Sequence, residues 1–333
     1  MRIGYNTWSM AKVPYSTFLP GLHEIGYTAV TISVIPQYGI GGQRVTNAAA
    51  LEALMAEDRR RMKQQLETRG LELSAIVGNQ SMVGDEPEQV ECQLQYLRDC
   101  IDLCVEIKPD GQHFVPTMNT TSGGHASEFD ARRQQLVDNL GALADYASQR
   151  GVVVCIEPHV SGAIDTPERA SWLVQTLNRE SCKIDFDISH FEVQMIPMEE
   201  SIPIVLPLSK SVEIKDQNAR YVDNIDAVGS TGNSVGPLPS AAPSGWRFEG
   251  NGLGKATDAK DRPLEYQFLL GGEGDFDLVK YLRLMHQGGW TGAVGFEASV
   301  QCQQRPGYDG MAVAANVYRW MSKGWDAAGV PRD

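Results

Sequence analysis

The chain has 333 residues, 42% hydrophobic and 21% charged, which suits a soluble globular protein able to build a full core. A net charge of −13 repels phosphate backbones and argues against a nucleic-acid partner. No apolar run approaches the ~18 residues of a membrane span, so no membrane partner is expected.

Residues 2–8 read as a first strand that begins almost at Met1, which leaves no room for a signal peptide and points to the cytoplasm. A helix over 14–26 closes at Gly26, and 29–35 form a second strand stopped by Pro36. A long helix follows over 48–69, then a third strand over 71–77 and a helix over 87–107 with Pro87 in its first turn. The fourth strand is expected over 111–117, a helix over 127–150 and a fifth strand over 152–157. Thr166 caps a helix that runs to Asn178. The sixth strand, Cys-Lys-Ile-Asp-Phe-Asp-Ile-Ser-His, ends at His190, and the seventh covers 211–216 after a short helix near 198–206. A helix over 275–287, an eighth strand over 293–298 and a helix over 309–324 complete the series.

Eight strands, each followed by a helix, predict an α/β fold of the closed (β/α)₈ barrel type, one domain over 1–333. No GxGxxG follows the first strand, which weakens a dinucleotide-binding alternative. The regular alternation is broken once, by a long insertion at 218–270 after strand seven. Fourteen of the 26 residues in 229–254 are Gly, Pro or Ser, too poor in apolar side chains for a core of their own. The insertion is expected to form a lid over the barrel mouth. The six cysteines (92, 100, 104, 155, 182 and 302) form no CxxC pair and read as small buried hydrophobes in a reducing compartment.

Barrel active sites lie at the C-terminal ends of the strands. Four of those ends carry a carboxylate: Glu157, Asp187, Glu213 and Glu297. Side-chain alternation sets Asp185 beside Asp187, Glu157 beside His159 and Glu213 beside Lys215. Four like charges at one mouth repel, so a divalent cation is the expected neutraliser, and oxygen ligands favour Mn²⁺ or Mg²⁺ over Zn²⁺. Co²⁺ is a further substitute. Glu157, Asp187, Glu213 and Glu297 are thus the candidate metal ligands, and Glu157, Glu297, His159 and Lys215 the candidate catalytic residues. His190, His113, Trp8, Arg220 and Trp246 are candidate substrate contacts.

The motifs IEPH at 156–159, Asp-x-x-His at 187–190, VEIKD at 212–216, GGEGDFD at 271–277 and GFEAS at 295–299 resemble the xylose isomerase-like TIM-barrel superfamily. That group holds sugar phosphate isomerases and epimerases, tagatose-type ketose epimerases, inosose dehydratases and endonuclease IV. The resemblance implies metal ligands at Glu157, Asp187 and Glu297, and a substrate contact at His190. It departs at Glu213, where the family usually has histidine. It also implies a sugar or polyol ketone substrate, isomerised or epimerised through removal of the proton beside its carbonyl. The alternative is a lyase that eliminates water or an aglycone from a keto-sugar or 3-keto-glycoside. A homo-oligomer, or an accessory subunit whose metal site is lost at Glu213, stays open. The endonuclease branch needs more histidines and a basic groove than this acidic chain offers.

Overall fold

The computed structural model describes residues 1–35, 37–40, 43–112, 114–222, 254–258, 260 and 262–332. Eight parallel strands close into a barrel in chain order. They are β1 (Arg2–Asn6), β2 (Ala29–Ser33), β3 (Glu72–Val77), β4 (Thr117–Thr121), β5 (Val153–Glu157), β6 (Cys182–Asp187), β7 (Ser209–Ile214) and β8 (Ala293–Phe296). The expected TIM barrel is the observed fold. Among the described residues, no helix is long and apolar enough to cross a membrane.

Alternation along the strands divides the barrel into two environments. Ile184 and Phe186 of β6, Ile156 of β5 and Phe296 of β8 join the apolar layer packed against the surrounding helices. Among their neighbours in sequence, Glu157, Asp185 and Asp187 turn inward and are buried. Thr117 Oγ1 donates to Asn119 Oδ1 (2.6 Å), and Asn119 Nδ2 donates to Asp185 Oδ2 (2.8 Å) and Ser211 Oγ (2.9 Å). The barrel interior is therefore stitched by hydrogen bonds beneath the site, and burial raises the Asp185 carboxyl well above its usual range, helped by nearby Glu157.

Three expectations need correction. The fourth strand is Thr117–Thr121, not 111–117, because Pro116 lacks an N–H and ends the approach segment, while three β-branched threonines carry the strand itself. The helix expected over 48–69 is two, Ala48–Glu52 and Ala56–Arg69. The Arg59 guanidinium donates to the carbonyls of Ala53 (2.8 Å) and Leu54 (3.3 Å), and Glu57 and Asp58 place negative charge in the new first turn. Finally, β6 stops at Asp187, and His190 belongs to a short helix, Ser189–Glu192. The Asp187 carboxylate accepts from Ser189 N (3.0 Å), which bends the chain out of the strand.

After β7 the chain leaves the barrel through Lys215. Strand Asp216–Tyr221 pairs antiparallel with Pro263–Leu269, which pairs in turn with Gly254–Thr257. Leu264, Tyr266, Phe268 and Ala256 of this small sheet pack with Val160 and Val193 from the barrel loops. The Asp216 carboxylate accepts from the amides of Gly272 (2.8 Å), Gly274 (2.9 Å) and Phe276 (3.2 Å), pinning the turn that leads to helix Leu278–Gln287. A Cβ at Gly274 would lie 2.3 Å from Asp216 Oδ1 and 2.6 Å from the Gln217 carbonyl. Gly274→Ala is expected to cost about 1–3 kcal/mol by overpacking. A lowered urea midpoint with an unchanged slope is the result that checks it.

Candidate active site

The C-terminal ends of β5 to β8 surround a cavity of about 760 Å³. Glu157, His159, His190, Lys215 and Glu297 line it from the barrel side, and Trp8, Ala256, Tyr266 and Phe268 from the others. Register explains the convergence: Asp187 lies opposite Glu213, and Glu213 opposite Gly295, so Lys215 and Glu297 each rise two residues above that level.

Lys215 is the hub, and it is 3% exposed. Its ammonium contacts Asp187 Oδ2 and lies 3.3 Å from Glu297 Oε1, 3.6 Å from Glu157 Oε1 and 3.3 Å from His190 Nε2. Burial opposes the charge, but the three carboxylates more than offset it and hold Lys215 protonated. Burial likewise pushes against ionisation of Glu157, yet Lys215, His190 and His159 bring its pKa well below the ordinary value. Glu297 goes the other way. Burial raises it to about 7, with Glu157 and Asp187 adding to the effect and Lys215 restraining it. Two carboxyls on one cavity are thus tuned apart, one ionised and one able to carry a proton near neutrality.

His190 is fully buried, with its ring 3.9 Å from that of His159 and edge-on to Phe268 at 5.2 Å. Its Nδ1 has no hydrogen-bond partner among the described residues, while its Nε2 faces Glu157 Oε1 at 3.2 Å and the Lys215 ammonium at 3.3 Å. His159 has its Nδ1 on the Val160 carbonyl (2.8 Å), and burial together with His190 lowers its pKa to about 4, so it is neutral at ordinary pH.

A metal was expected on four carboxylates. One ligand atom each from Glu157, Asp187 and His190 lies within 4.8 Å of the other two, a spacing that fits a single divalent cation. This donor set mixes oxygen with imidazole nitrogen and differs from the all-oxygen expectation. Glu213 and Glu297 lie outside the group. Glu213 is 2% exposed and accepts from Asn6 Nδ2 on both oxygens (2.9 Å each), while the same amide reaches Glu297 Oε2 at 3.1 Å. Burial, with Asp185 and Glu297 nearby, raises the Glu213 pKa well above its ordinary value. Asn6→Ala would leave two buried carboxyls short of a donor and is expected to lose about 1–3 kcal/mol in chemical denaturation.

Trp8 lies in a 3₁₀ turn, Thr7–Met10, on the cavity wall. Arg220 does not line the cavity. It pairs with Glu265 across the small sheet, where the antiparallel register sets the two opposite each other. His113 and Trp246 lie outside the described residues. Asn6 and Phe268 escaped the sequence reading. The only signal for Asn6 was its inward phase with Gly4 on β1.

The xylose isomerase-like TIM barrel family matches residues 19–322. No curated protein sequence matches the chain. Among solved structures, a D-psicose 3-epimerase of Clostridium cellulolyticum H10 with D-tagatose superposes with a TM-score of 0.68 at 11% identity, covering 98% of this chain and 99% of that one. A 3-keto-D-glucoside 4-epimerase of E. coli gives 0.65 at 13%, covering 97% and 99%. A xylose isomerase-like TIM barrel protein of Mycobacterium smegmatis in complex with magnesium gives 0.62 at 16%, covering 99% and 98%. At such identities the likeness is one of fold, whereas the family match spans most of the sequence. The chain belongs to the xylose isomerase-like TIM barrel family.

Proposed function

We propose that the protein is a divalent-metal-dependent isomerase or epimerase of a sugar or polyol ketone, working by proton transfer at the carbon beside the carbonyl. The observation that carries this reading is the pair Glu157 and Glu297, which share one cavity and flank Lys215 at 3.6 and 3.3 Å. Glu157, whose ionised form Lys215 and His190 favour against the cost of burial in the ion-free protein and a bound cation would favour in the loaded one, takes the proton. Glu297, with its pKa raised to about 7 by burial, returns one from its own side of the cavity. Return to the opposite face of the same carbon gives an epimer, and return to the neighbouring carbon, with the hydroxyl proton passing from its own oxygen to the former carbonyl oxygen, gives an isomer. Lys215 orients the substrate oxygens, and Trp8 and Phe268 cover the apolar face of a sugar ring.

Glu157, Asp187 and His190 would hold the metal, for which Mn²⁺ is the proposed ion and Mg²⁺ or Co²⁺ the substitutes. When bound, it supplies Lewis-acid stabilisation of the negative charge that proton removal leaves on the substrate. Support comes from the donor spacing, and a structural neighbour is described in complex with magnesium. We read 218–270 as an insertion in a single 1–333 domain that selects what enters, since Ala256, Tyr266 and Phe268 already form one wall.

A second reading, elimination from a keto-glycoside, is favoured by the cavity volume. At about 760 Å³ it lies in the upper part of the ~300–1,000 Å³ typical of small-molecule pockets, more than one sugar ring fills. Incubating the Mn²⁺-supplemented protein with ketoses and 3-keto-glycosides in D₂O, followed by NMR, separates the two. Deuterium beside the carbonyl with a new isomer or epimer supports the first reading, and release of an aglycone or alkene supports the second. Exchange with none of the keto-sugars would contradict both.

A further inference from the structure

We propose that the Lys215 ammonium stands in the cation position of the Glu157–Asp187–His190 group, and that a divalent ion binds only by turning Lys215 out of it. The inference rests on the metal reading above and concerns what that ion must displace. The atoms involved are the same. His190 Nε2 lies 3.2 Å from Glu157 Oε1 and 3.8 Å from Asp187 Oδ2, and these are the three atoms that face one another in the cluster. Lys215 Nζ contacts Asp187 Oδ2 and sits 3.6 Å from Glu157 Oε1 and 3.3 Å from His190 Nε2.

An ion at the usual ~2.1 Å from those ligand atoms would fall on or beside the ammonium. Two cations cannot share that volume, because their repulsion in a buried site is strong. One must leave. The lysine has somewhere to go: its Nζ already points along the Phe268 face, 5.7 Å from the ring centroid, and the residue borders the cavity. Displaced toward that ring, the ammonium would keep a cation–π contact and face the oxygens of a bound sugar. Without an ion, the same lysine keeps two mutually repelling carboxylates together. Lys215 is then a positioning residue in the ion-free protein and a substrate-facing donor in the loaded one.

The test uses the full-length protein and Mn²⁺ alone. Calorimetric titration compares the wild type with Lys215→Met, each first checked for a cooperative thermal transition. Removing the competing ammonium is expected to tighten Mn²⁺ binding by roughly tenfold or more, the scale on which groups around a metal alter its affinity. In parallel, acetylation of Lys215 in the wild type, read by peptide mass spectrometry, is expected to rise severalfold on adding Mn²⁺. This second measurement needs no variant and separates displacement from a charge effect at a distance, which would tighten binding without exposing the lysine.

Equal or weaker binding by Lys215→Met, or Mn²⁺ bound to the wild type with unchanged acetylation, would overturn the proposal and leave the metal reading intact. Binding by Lys215→Met with none by the wild type would support the proposal while removing metal dependence from the natural protein. Binding by neither would overturn both.

Discussion

Replacing Glu157 by glutamine is expected to lower solvent–substrate proton exchange by about 10²–10⁴-fold, the usual contribution of a positioned acid or base. The amide keeps the shape but loses the base, and its neutral oxygen is a weaker ligand for the ion that Glu157 would share with Asp187 and His190. Glu297→Gln should cost a similar factor in turnover but leave a diagnostic difference. With its pKa raised to about 7 by burial, Glu297 carries a proton below that pH and loses it above. Turnover that requires the acid form therefore falls as pH rises through the Glu297 pKa, which burial raises to about 7 in the ion-free protein and a bound dication would draw down from there. That falling limb should vanish in Glu297→Gln and persist in the residual activity of Glu157→Gln. Rate measurements from pH 5 to 9 on the three proteins check both statements. Identical profiles in all three would remove the assignment of acid and base.

The second large effect concerns stability. Asp216→Ala is expected to cost about 3 kcal/mol or more, because four backbone amides, those of Gly272, Gly274, Phe276 and Gln217, lose their acceptor at once and each orphaned donor costs about 1–3 kcal/mol. Desolvation opposes the wild-type carboxylate and raises its pKa, while the amides of Gly274, Phe276 and Gly272 pull it back. The net benefit is therefore smaller than four full hydrogen bonds. Asp216→Asn, which retains one acceptor oxygen, should recover part of the loss. Urea unfolding measures it. A variant as stable as the wild type would show that the 271–277 turn is held by its own backbone instead.

Why some of this was readable in the sequence and some was not follows from the range of the interactions. Strands β5, β6 and β8 are short apolar runs with acidic tips, and alternation alone turns Glu157 and Asp187 inward. Helix ends at Gly26 and Pro87 are local backbone chemistry, and the observed helices respect both. Strand β4 was misplaced because Thr-Met-Asn-Thr-Thr is polar and reads as a loop until a polar barrel interior receives Asn119.

The role of Asn6 was hidden for a different reason. Its partners Glu213 and Glu297 lie 207 and 291 residues away, and only barrel closure between β1 and β8 brings them together. Its strand-end position groups Glu213 with the metal ligands in the sequence, whereas its carboxyl turns to Asn6. Arg220 looked like a substrate contact by charge, and the sheet register gives it to Glu265 instead. In each case the residue type was informative and the partner was not, because partner choice depends on tertiary geometry.

Under the proposed function, Glu157, Asp187 and His190 form one cation site facing the proton-transfer pair at the barrel mouth. Its most direct test is an anomalous-scattering map from crystals grown with Mn²⁺. A single strong peak is expected about 2.1 Å from a Glu157 oxygen, an Asp187 oxygen and His190 Nε2, with the Lys215 ammonium moved off that point toward Phe268. A map with no peak there, or with the ion seated elsewhere while Lys215 still bridges the carboxylates, would contradict it.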